Sequence, residues 1–277
     1  MGGWTANAVQ RGGGDSHGNN HPAMKQFYRV IRPFLPGILL LVLWELGALY
    51  LFDPRFLGQP SKIIASFADH AIGPRIWRHV WVTLSEIVVG YAIGVVIGAA
   101  LGYLFGVRED LARLFEPYII ILNGIPKVAI APLLIVIFGI GMASKVAIVA
   151  SLVLFLMFYG VYVGIRTIDV DFIYQARIMG VNRFGEIRHV VLPAIMPNVL
   201  VAMKTSAVYA VIGAIIGEFI AAQAGLGYFI LDASGTFNVT DIWVGVVYLM
   251  ILLFALTGLI GVAERRLLRW LPKKTIG

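Results

Sequence analysis

Five ionisable residues interrupt stretches of sequence that are otherwise apolar, and they are the residues best placed to do chemistry there. They are Glu45, Glu86, Lys127, Lys204 and Glu218. An unpaired charge that faces lipid is costly, so each side chain should face the protein interior, water or another of these groups. Charges held in this way could line a path for an ion or solute, or they could form structural pairs.

Lys127, Lys204 and Glu218 are the candidates for a translocation pathway. Lys127 lies between Pro126 and Pro132 in the segment LNGIPKVAIAP, where an interrupted helix would leave free backbone groups beside a positive charge. That combination could form part of an anion path. Alternatively, Lys127 and Lys204 extend their ammonium groups to the cytoplasmic membrane surface, or form structural pairs. We favour this second interpretation over contact with a solute.

Other kinds of chemistry are excluded or disfavoured. The chain has no G-x-x-x-x-G-K-[ST] motif, so we do not expect it to bind ATP through a phosphate loop. It has no cysteine, which rules out disulfides, thiolate metal sites and cysteine nucleophiles. His17 and His21 lie in a segment rich in Gly and Asn without another ligand, and we expect them to be solvated. We therefore predict no catalytic residue, no metal site and no cofactor in this chain.

The composition predicts the elements that must hold these charges. Of 277 residues, 59% are hydrophobic and 13% are charged, and the mean hydropathy is +0.86. A water-soluble domain carries about twice that share of charge. Apolar runs of roughly 20 residues are long enough for a helix to cross a bilayer, so we predict an all-α membrane protein. The six predicted spans are 34–52, 80–105, 118–138, 146–165, 195–222 and 242–262.

Two features interrupt this simple pattern of spans. Pro126 and Pro132 should kink or break the third span, because each proline removes a backbone donor. Residues 60–72 are predicted to form a short interfacial helix on the outer side. We expect residues 1–25 to be a disordered cytoplasmic tail, 26–270 a single transmembrane domain, and 271–277 a cytoplasmic tail.

The distribution of basic residues predicts the orientation. The net charge is +7, and the connections on one side of the predicted membrane hold fifteen of the 22 Lys and Arg residues. The opposite connections hold five: Arg55, Lys62, Arg75, Arg78 and Lys145. Because basic residues concentrate in cytoplasmic loops, both termini are predicted to lie inside. The positive charge is therefore an orientation signal rather than evidence for nucleic-acid binding.

A stripe of glycines runs along the second span at every fourth position. It consists of Gly90, Gly94, Gly98, Gly102 and Gly106. Small residues at this spacing let another helix backbone approach closely, so we expect this helix at the centre of the bundle. We interpret the stripe as ordinary helix packing, which indicates architecture rather than mechanism.

The longest inner connection, 166–193, reads RTIDVDFIYQARIMGVNRFGEIRHVVLP. Asp171 is predicted to cap a first helix, Gly180 to end it in a left-handed conformation, and Asn182 to cap a second short helix. The apolar faces would carry Phe172, Ile173, Ala176 and Met179 in the first helix, and Phe184, Ile187 and Val191 in the second. This pattern is typical of a protruding pair of helices that docks on a partner protein, or of a helical hairpin that lies on the membrane surface.

The loop resembles the EAA loop of the permease subunits of bacterial ABC importers. That motif is E-A-A, three residues, Gly, nine residues and I-x-L-P. Here Ala176, Gly180 and the Leu192-Pro193 pair match it, while Tyr174 and Gln175 replace its Glu and first Ala. In the family, the first helix of this loop fits a groove on the ATPase subunit and transmits its motion. The resemblance therefore assigns coupling to Tyr174, Gln175, Ala176, Gly180, Val190, Leu192 and Pro193.

Three further segments, 125–145, 217–242 and 264–270, resemble the nitrate, sulfonate and taurine branch of these permeases. They read IPKVAIAPLLIVIFGIGMASK, GEFIAAQAGLGYFILDASGTFNVTDI and ERRLLRW. The resemblance implies a type I importer permease of the bacterial inner membrane that pairs with a second copy of itself. It also implies two ATPase subunits, which carry the ATP and Mg, and a periplasmic binding protein. The implied solute is a small anion such as a sulfonate, taurine or nitrate.

Alternative functions remain open. Relatives in the permease family that this chain resembles import thiamine-precursor pyrimidines and other small organic solutes. A secondary carrier or channel would need no ATPase, but such carriers often contain inverted repeats, and we find none in this sequence. A membrane scaffold or sensor could dock a soluble partner through the 166–193 loop without any transport.

Overall fold

The computed structural model describes residues 32, 34–51 and 54–269, and it divides the chain into two units, Met1–Phe52 and Asp53–Gly277. The predicted tails, 1–25 and 271–277, lie outside the described residues, as do His17 and His21. In the first unit, helix α1 (Leu35–Tyr50) is apolar around its circumference, with most of its large side chains exposed. At 16 residues it is shorter than the roughly 20 residues that usually cross a bilayer.

The second unit is helical at every regular element that the structure describes. Its helices are α2 (Pro54–Leu57), α3 (Pro60–Ile72), α4 (Pro74–Val107), α5 (Glu109–Gly124), α6 (Lys127–Phe138), α7 (Met142–Arg166), α8 (Val170–Ile178), α9 (Arg183–Glu186), α10 (Leu192–Ala221), α11 (Leu226–Gly235) and α12 (Val239–Leu267). A π-helical turn, Ile187–Val191, joins α9 to α10, so that Arg183–Ala221 is one continuous helix.

Four of the helices in the described part of the chain are long and apolar enough to cross a membrane. They are α4, α7, the continuous helix Arg183–Ala221, and α12. They coincide with four of the six predicted spans. Helix α1 and helix α6 are apolar but shorter, and they fall on the first and third predicted spans. The predicted helix at 60–72 is α3, which begins at Pro60, a residue whose missing N–H costs nothing in a first turn.

The third predicted span is broken at the place that its prolines indicate. Helix α5 ends at Gly124, the backbone of Ile125 and Pro126 is extended, and α6 begins at Lys127. The helix then continues through Pro132. Lys127 therefore stands in the first turn of a helix that begins within the apolar region.

Helices α4, α7 and α10 form the centre of the second unit. The glycine stripe of α4 lies against α7: a Cβ at Gly90 would be 2.6 Å from Cβ of Val149, and one at Gly102 would be 2.6 Å from the carbonyl oxygen of Phe158. Such distances leave no room for a side chain, so the two backbones meet along this seam. Helix α10 also approaches α7 closely, since a Cβ at Gly213 of α10 would be 3.1 Å from Cα of Val149.

The 166–193 loop differs from its prediction in two respects. The residue that caps α8 is Asp169, whose carboxylate accepts a hydrogen bond from the Asp171 amide at 3.0 Å, so the prediction that Asp171 is the cap was wrong. Asp169 has the extended backbone that a capping residue needs, whereas Asp171 already lies in the first turn. The second helix is also not a separate short helix, because it continues through the π-helical turn into α10.

Candidate functional site

Helix α8 presents apolar side chains that nothing in the described chain covers. Ile178 is 86% exposed, and Phe172 and Met179 are also exposed, whereas Ala176 is only 8% exposed. Tyr174 and Gln175, which replace the Glu and the first Ala of the EAA motif, are both exposed. An exposed apolar patch of this kind marks a surface that contacts a partner or a membrane.

Gly180 shapes the end of α8. Its φ is +78°, the amide of Val181 donates to the carbonyl of Ala176 at 3.1 Å, and the amide of Gly180 donates to the carbonyl of Arg177 at 3.0 Å. These two bonds are those of a Schellman motif, which requires a left-handed residue where glycine stands. Asn182 follows and caps α9 by accepting a hydrogen bond from the Gly185 amide at 2.8 Å.

A bidentate ion pair ties α8 to the start of the long helix. Arg177 Nε and Nη2 each lie 3.0 Å from an oxygen of the Glu186 carboxylate. The carboxylate raises the pKa of the Arg177 guanidinium by accepting these bonds. Because two parallel hydrogen bonds fix direction as well as distance, α8 and α9 are oriented together. The remaining assigned positions, Val190, Leu192 and Pro193, lie where the π-helical turn passes into α10.

A second cluster of charges lies where α5 meets the end of α7. Arg113 donates to the Glu109 carboxylate at 2.9 Å, and Arg166 donates to the same oxygen at 3.4 Å. Both hydrogen bonds hold the pKa of Glu109 below its usual range, and the bond from Arg113 has the larger effect. All three side chains are exposed, so this cluster contributes little to stability.

Inside the bundle, Lys145 pairs with Glu86. The ammonium of Lys145 lies 2.9 Å from Oε1 of Glu86, and the residues are 5% and 1% exposed. The assignment of Lys145 to an outer connection was therefore wrong, because α7 begins at Met142 and encloses it. The hydropathy pattern places the start of the fourth span at residue 146, directly after this lysine. The signal that could have placed it is Glu86, a buried acid that needs a cation nearby.

Glu218, a candidate for the pathway, lies in a buried network and is 0% exposed. Its carboxylate accepts hydrogen bonds from the Thr83 hydroxyl at 2.6 Å and from the Gly227 amide. The Thr83 oxygen in turn accepts a bond from the Leu226 amide at 2.7 Å. The network therefore fastens the first turn of α11 to α4 and α10. Sequence reasoning missed this role because no local pattern links Thr83 to a loop more than a hundred residues away.

Lys204, the second candidate, forms a half-exposed ion pair with Glu264 of α12. This is the structural pairing that the sequence left open as an alternative to solute contact. Lys204 thus pairs with an acid, and Glu218 accepts hydrogen bonds from two donors. Neither residue lines the cavities described next.

Lys127 is the candidate that reaches a cavity. We define the Lys127 cavity as the partly open space of about 310 Å³ that α6, α7 and α10 border, lined by Lys127, Leu152, Phe155, Leu156, Tyr159 and Tyr209. The ammonium of Lys127 lies 4.3 Å from the centre of the Phe155 ring, a cation–π contact. A second cavity of about 300 Å³ shares Leu156 and Tyr159 with it and continues along α7 and α10 to Asn198 and Thr205.

Among the described residues, no group of three or more His, Asp or Glu side chains is arranged to hold a metal ion.

Comparisons with known proteins agree with this architecture. Residues 92–271 match the family described as binding-protein-dependent transport system inner membrane component. The chain is 35% identical over 235 residues to the riboflavin transport system permease protein RibX of Chloroflexus aurantiacus, which covers 84% of this chain and 87% of that protein. It is 26% identical over 241 residues to the taurine transport system permease protein TauC of Escherichia coli, with 84% and 87% covered.

The fold is also found in a solved structure. The MetNI methionine ABC transporter in an inward-facing conformation has a chain that superposes with a TM-score of 0.60 at 23% identity, covering 70% of this chain and 98% of that one. At this identity the likeness establishes the fold alone. The family match shows that the protein belongs to the binding-protein-dependent transport family, and together with the related permeases it identifies the chain as a permease subunit of an ABC importer, a multi-pass protein of the inner membrane.

Proposed function

We propose that two copies of this chain form the transmembrane pathway of an ATP-driven importer, and that the 166–193 loop couples each copy to a separate ATPase subunit. The observation that carries this proposal is the geometry of α8, with its uncovered apolar side chains and its left-handed end at Gly180. An apolar surface on a short, firmly oriented helix suits insertion into a groove of a partner.

The bonds around the loop supply a route for the motion. ATP and Mg would bind on the partner ATPase subunits, and closure of those subunits would move α8. The Arg177–Glu186 ion pair joins α8 to α9, and the continuous helix Arg183–Ala221 leads from there into the bundle. A rigid-body change of two such helices would switch the pathway between inward-facing and outward-facing states.

The solute is proposed to be a small anion such as a sulfonate, taurine or nitrate, which a periplasmic binding protein delivers. Similarity to TauC supports this choice. A second candidate is a neutral aromatic solute, and two observations favour it: RibX has the higher identity, and Phe155, Tyr159 and Tyr209 line the Lys127 cavity.

The proposal is tested by isolating the tagged chain in mild detergent from its native membranes and measuring which proteins accompany it, and in what ratio. We expect two permease chains with two copies of an ATPase that bears a phosphate loop. Isolation of the chain alone, from membranes in which other such complexes survive the same detergent, would contradict the proposal and favour a carrier or channel.

A further inference from the structure

We infer that the Lys127 cavity is a solute contact site within the pathway, and that it takes a small monoanion with an apolar or aromatic body. This inference rests on the proposed function and deepens it, because it names the residues that meet the solute and the chemistry they select. Three properties of the cavity carry it: its charge, its mixed lining and its continuation towards the loop.

The charged residue in the described lining of the cavity is a lysine. Lys127 supplies an ammonium at its wall, and among the described residues that line this cavity and its continuation, none is acidic. The ammonium lies 4.3 Å from the centre of the Phe155 ring, at the wall that this ring forms. A cleft with charge of one sign and apolar walls concentrates ions of the opposite sign, in this case anions.

The lining combines polar and apolar groups in the proportion of a small-molecule site. Tyr159 and Tyr209 supply hydroxyl groups that can donate hydrogen bonds to an oxyanion, while Leu152, Leu156 and Phe155 form an apolar wall. Small-molecule sites are mostly apolar with a few directed polar groups, and they enclose about 300–1,000 Å³. The cavity, at about 310 Å³, therefore fits a small solute with a charged head and an apolar body.

The cavity also continues in a direction that a pathway requires. Tyr159 and Leu156 line both it and the second cavity, which extends along α7 and α10 to Asn198. Asn198 lies near the start of α10, and α10 follows directly from the 166–193 loop. The two cavities thus form a groove from Lys127 towards the end of the bundle that carries the loop. A groove open along one helix pair would be completed by the second copy of the chain.

The test uses the absence of cysteine from the sequence. A Tyr209→Cys variant, assembled in the full transport complex in membranes, reacts with two thiol reagents of equal size and opposite charge: the sulfonatoethyl and trimethylammonioethyl methanethiosulfonates. The measured quantity is the ratio of the anionic rate to the cationic rate. Ile72→Cys, whose parent side chain is 87% exposed on α3, gives the reference ratio at an open surface.

We expect a higher ratio at position 209 than at position 72. Adding Lys127→Met to the Tyr209→Cys variant should lower the ratio by about 25-fold, because one unit charge a few ångströms away in water changes each rate about fivefold, in opposite directions for the two reagents. Lys127→Arg should preserve the ratio. Lys62→Met, which removes an exposed lysine from α3, is the matched control and should leave the ratio unchanged.

Three results would overturn the inference. One is a ratio at position 209 that does not respond to Lys127→Met. Another is the absence of reaction with either reagent, as expected if lipid or the second copy fills the cavity. The third is a spontaneous disulfide between the position 209 cysteines of two copies in place of reagent labelling.

Uptake separates this inference from the proposed function. Lys127→Met should reduce ATP-driven uptake of ethanesulfonate or benzenesulfonate by about fivefold, while the complex still assembles and hydrolyses ATP. A wild-type complex that accumulates neither sulfonate but accumulates riboflavin would overturn the inference and leave the importer in place. The absence of a co-purifying ATPase would instead overturn the proposed function, whatever the reagent ratio.

Discussion

The ammonium of Lys145 lies 2.9 Å from Oε1 of Glu86, and both side chains are buried between helices α7 and α4. Each charge would be costly alone in this apolar setting, but together they largely neutralise each other. The pair also fixes the rotation of α4 against α7, since a turn of either helix would separate the groups. It thus complements the glycine seam, which permits close approach.

Removing one member of this pair should be more damaging than removing both. Lys145→Met leaves the Glu86 carboxylate buried without its cation, and breaking such a pair costs about 3–5 kcal/mol. The double variant Lys145→Met/Glu86→Gln should recover most of that loss. The measurement is the thermal unfolding of the purified complex. Arg113→Gln, which alters an exposed ion pair with Glu109, is the control and should not change the midpoint.

The α4–α7 seam predicts a strong position dependence for glycine substitutions. Gly98→Leu should destabilise the bundle by more than about 3 kcal/mol, because even a Cβ at Gly98 would overlap the backbone carbonyl of Leu154. Gly258→Leu on α12 is the matched control, since no atom in the described part of the chain lies within 4 Å of a Cβ there. Equal yields and midpoints for the two variants would show that the seam is not tightly packed in the membrane.

The network around Glu218 predicts that one hydroxyl is important for the first turn of α11. Thr83→Val keeps the shape of the side chain but removes the donor to Glu218 and the acceptor for the Leu226 amide. Each buried group left unsatisfied costs about 1–3 kcal/mol. Thr257→Val provides the comparison, because the Thr257 hydroxyl bonds only to carbonyls of its own helix. Similar melting of both variants would argue against the network.

The end of α8 predicts a coupling defect that is separate from folding. Gly180→Val should reduce ATP-driven uptake severalfold with normal membrane insertion, because a β-branched residue resists the φ of +78°. A steric clash is not the cause, since none of the described residues lies within 4 Å of a Cβ at this position. Gly180→Asn should retain most uptake, because Asn tolerates the left-handed region. Full uptake by Gly180→Val would remove the coupling role from this turn.

Much of this architecture could be predicted from the sequence because it depends on local patterns. Apolar runs fixed the positions of the four long helices, Pro126 indicated the break before α6, and Gly180 and Asn182 indicated the turn in the loop. What local patterns could not show depends on contacts between distant segments. Hydropathy places Lys145 in a connection, and its burial depends on the ion pair with Glu86 on a different helix.

The two wrong predictions for the 166–193 loop have a related cause. Asp169 and Asp171 are equally good capping residues by type, and only the path of the chain out of α7 decides between them. The continuity of α9 with α10 depends on a π-helical turn, which no residue type specifies. The location of Lys127 at a cavity, and of Lys204 in a pair with Glu264, likewise follows from how α6 and α12 pack.

Docking of α8 on an ATPase subunit is tested most directly by a cross-link from a cysteine in the loop. Met179→Cys, in the otherwise cysteine-free chain, is labelled with a maleimide that carries a benzophenone and is irradiated in membranes that contain the complex, so that the cross-link needs no cysteine in the ATPase subunit. We predict a cross-linked product with the ATPase subunit whose yield changes when ATP is added, and no such product from Ile72→Cys, which lies on the predicted outer side. No cross-link from position 179, in membranes where the ATPase co-purifies with the chain, would contradict the assignment of the loop.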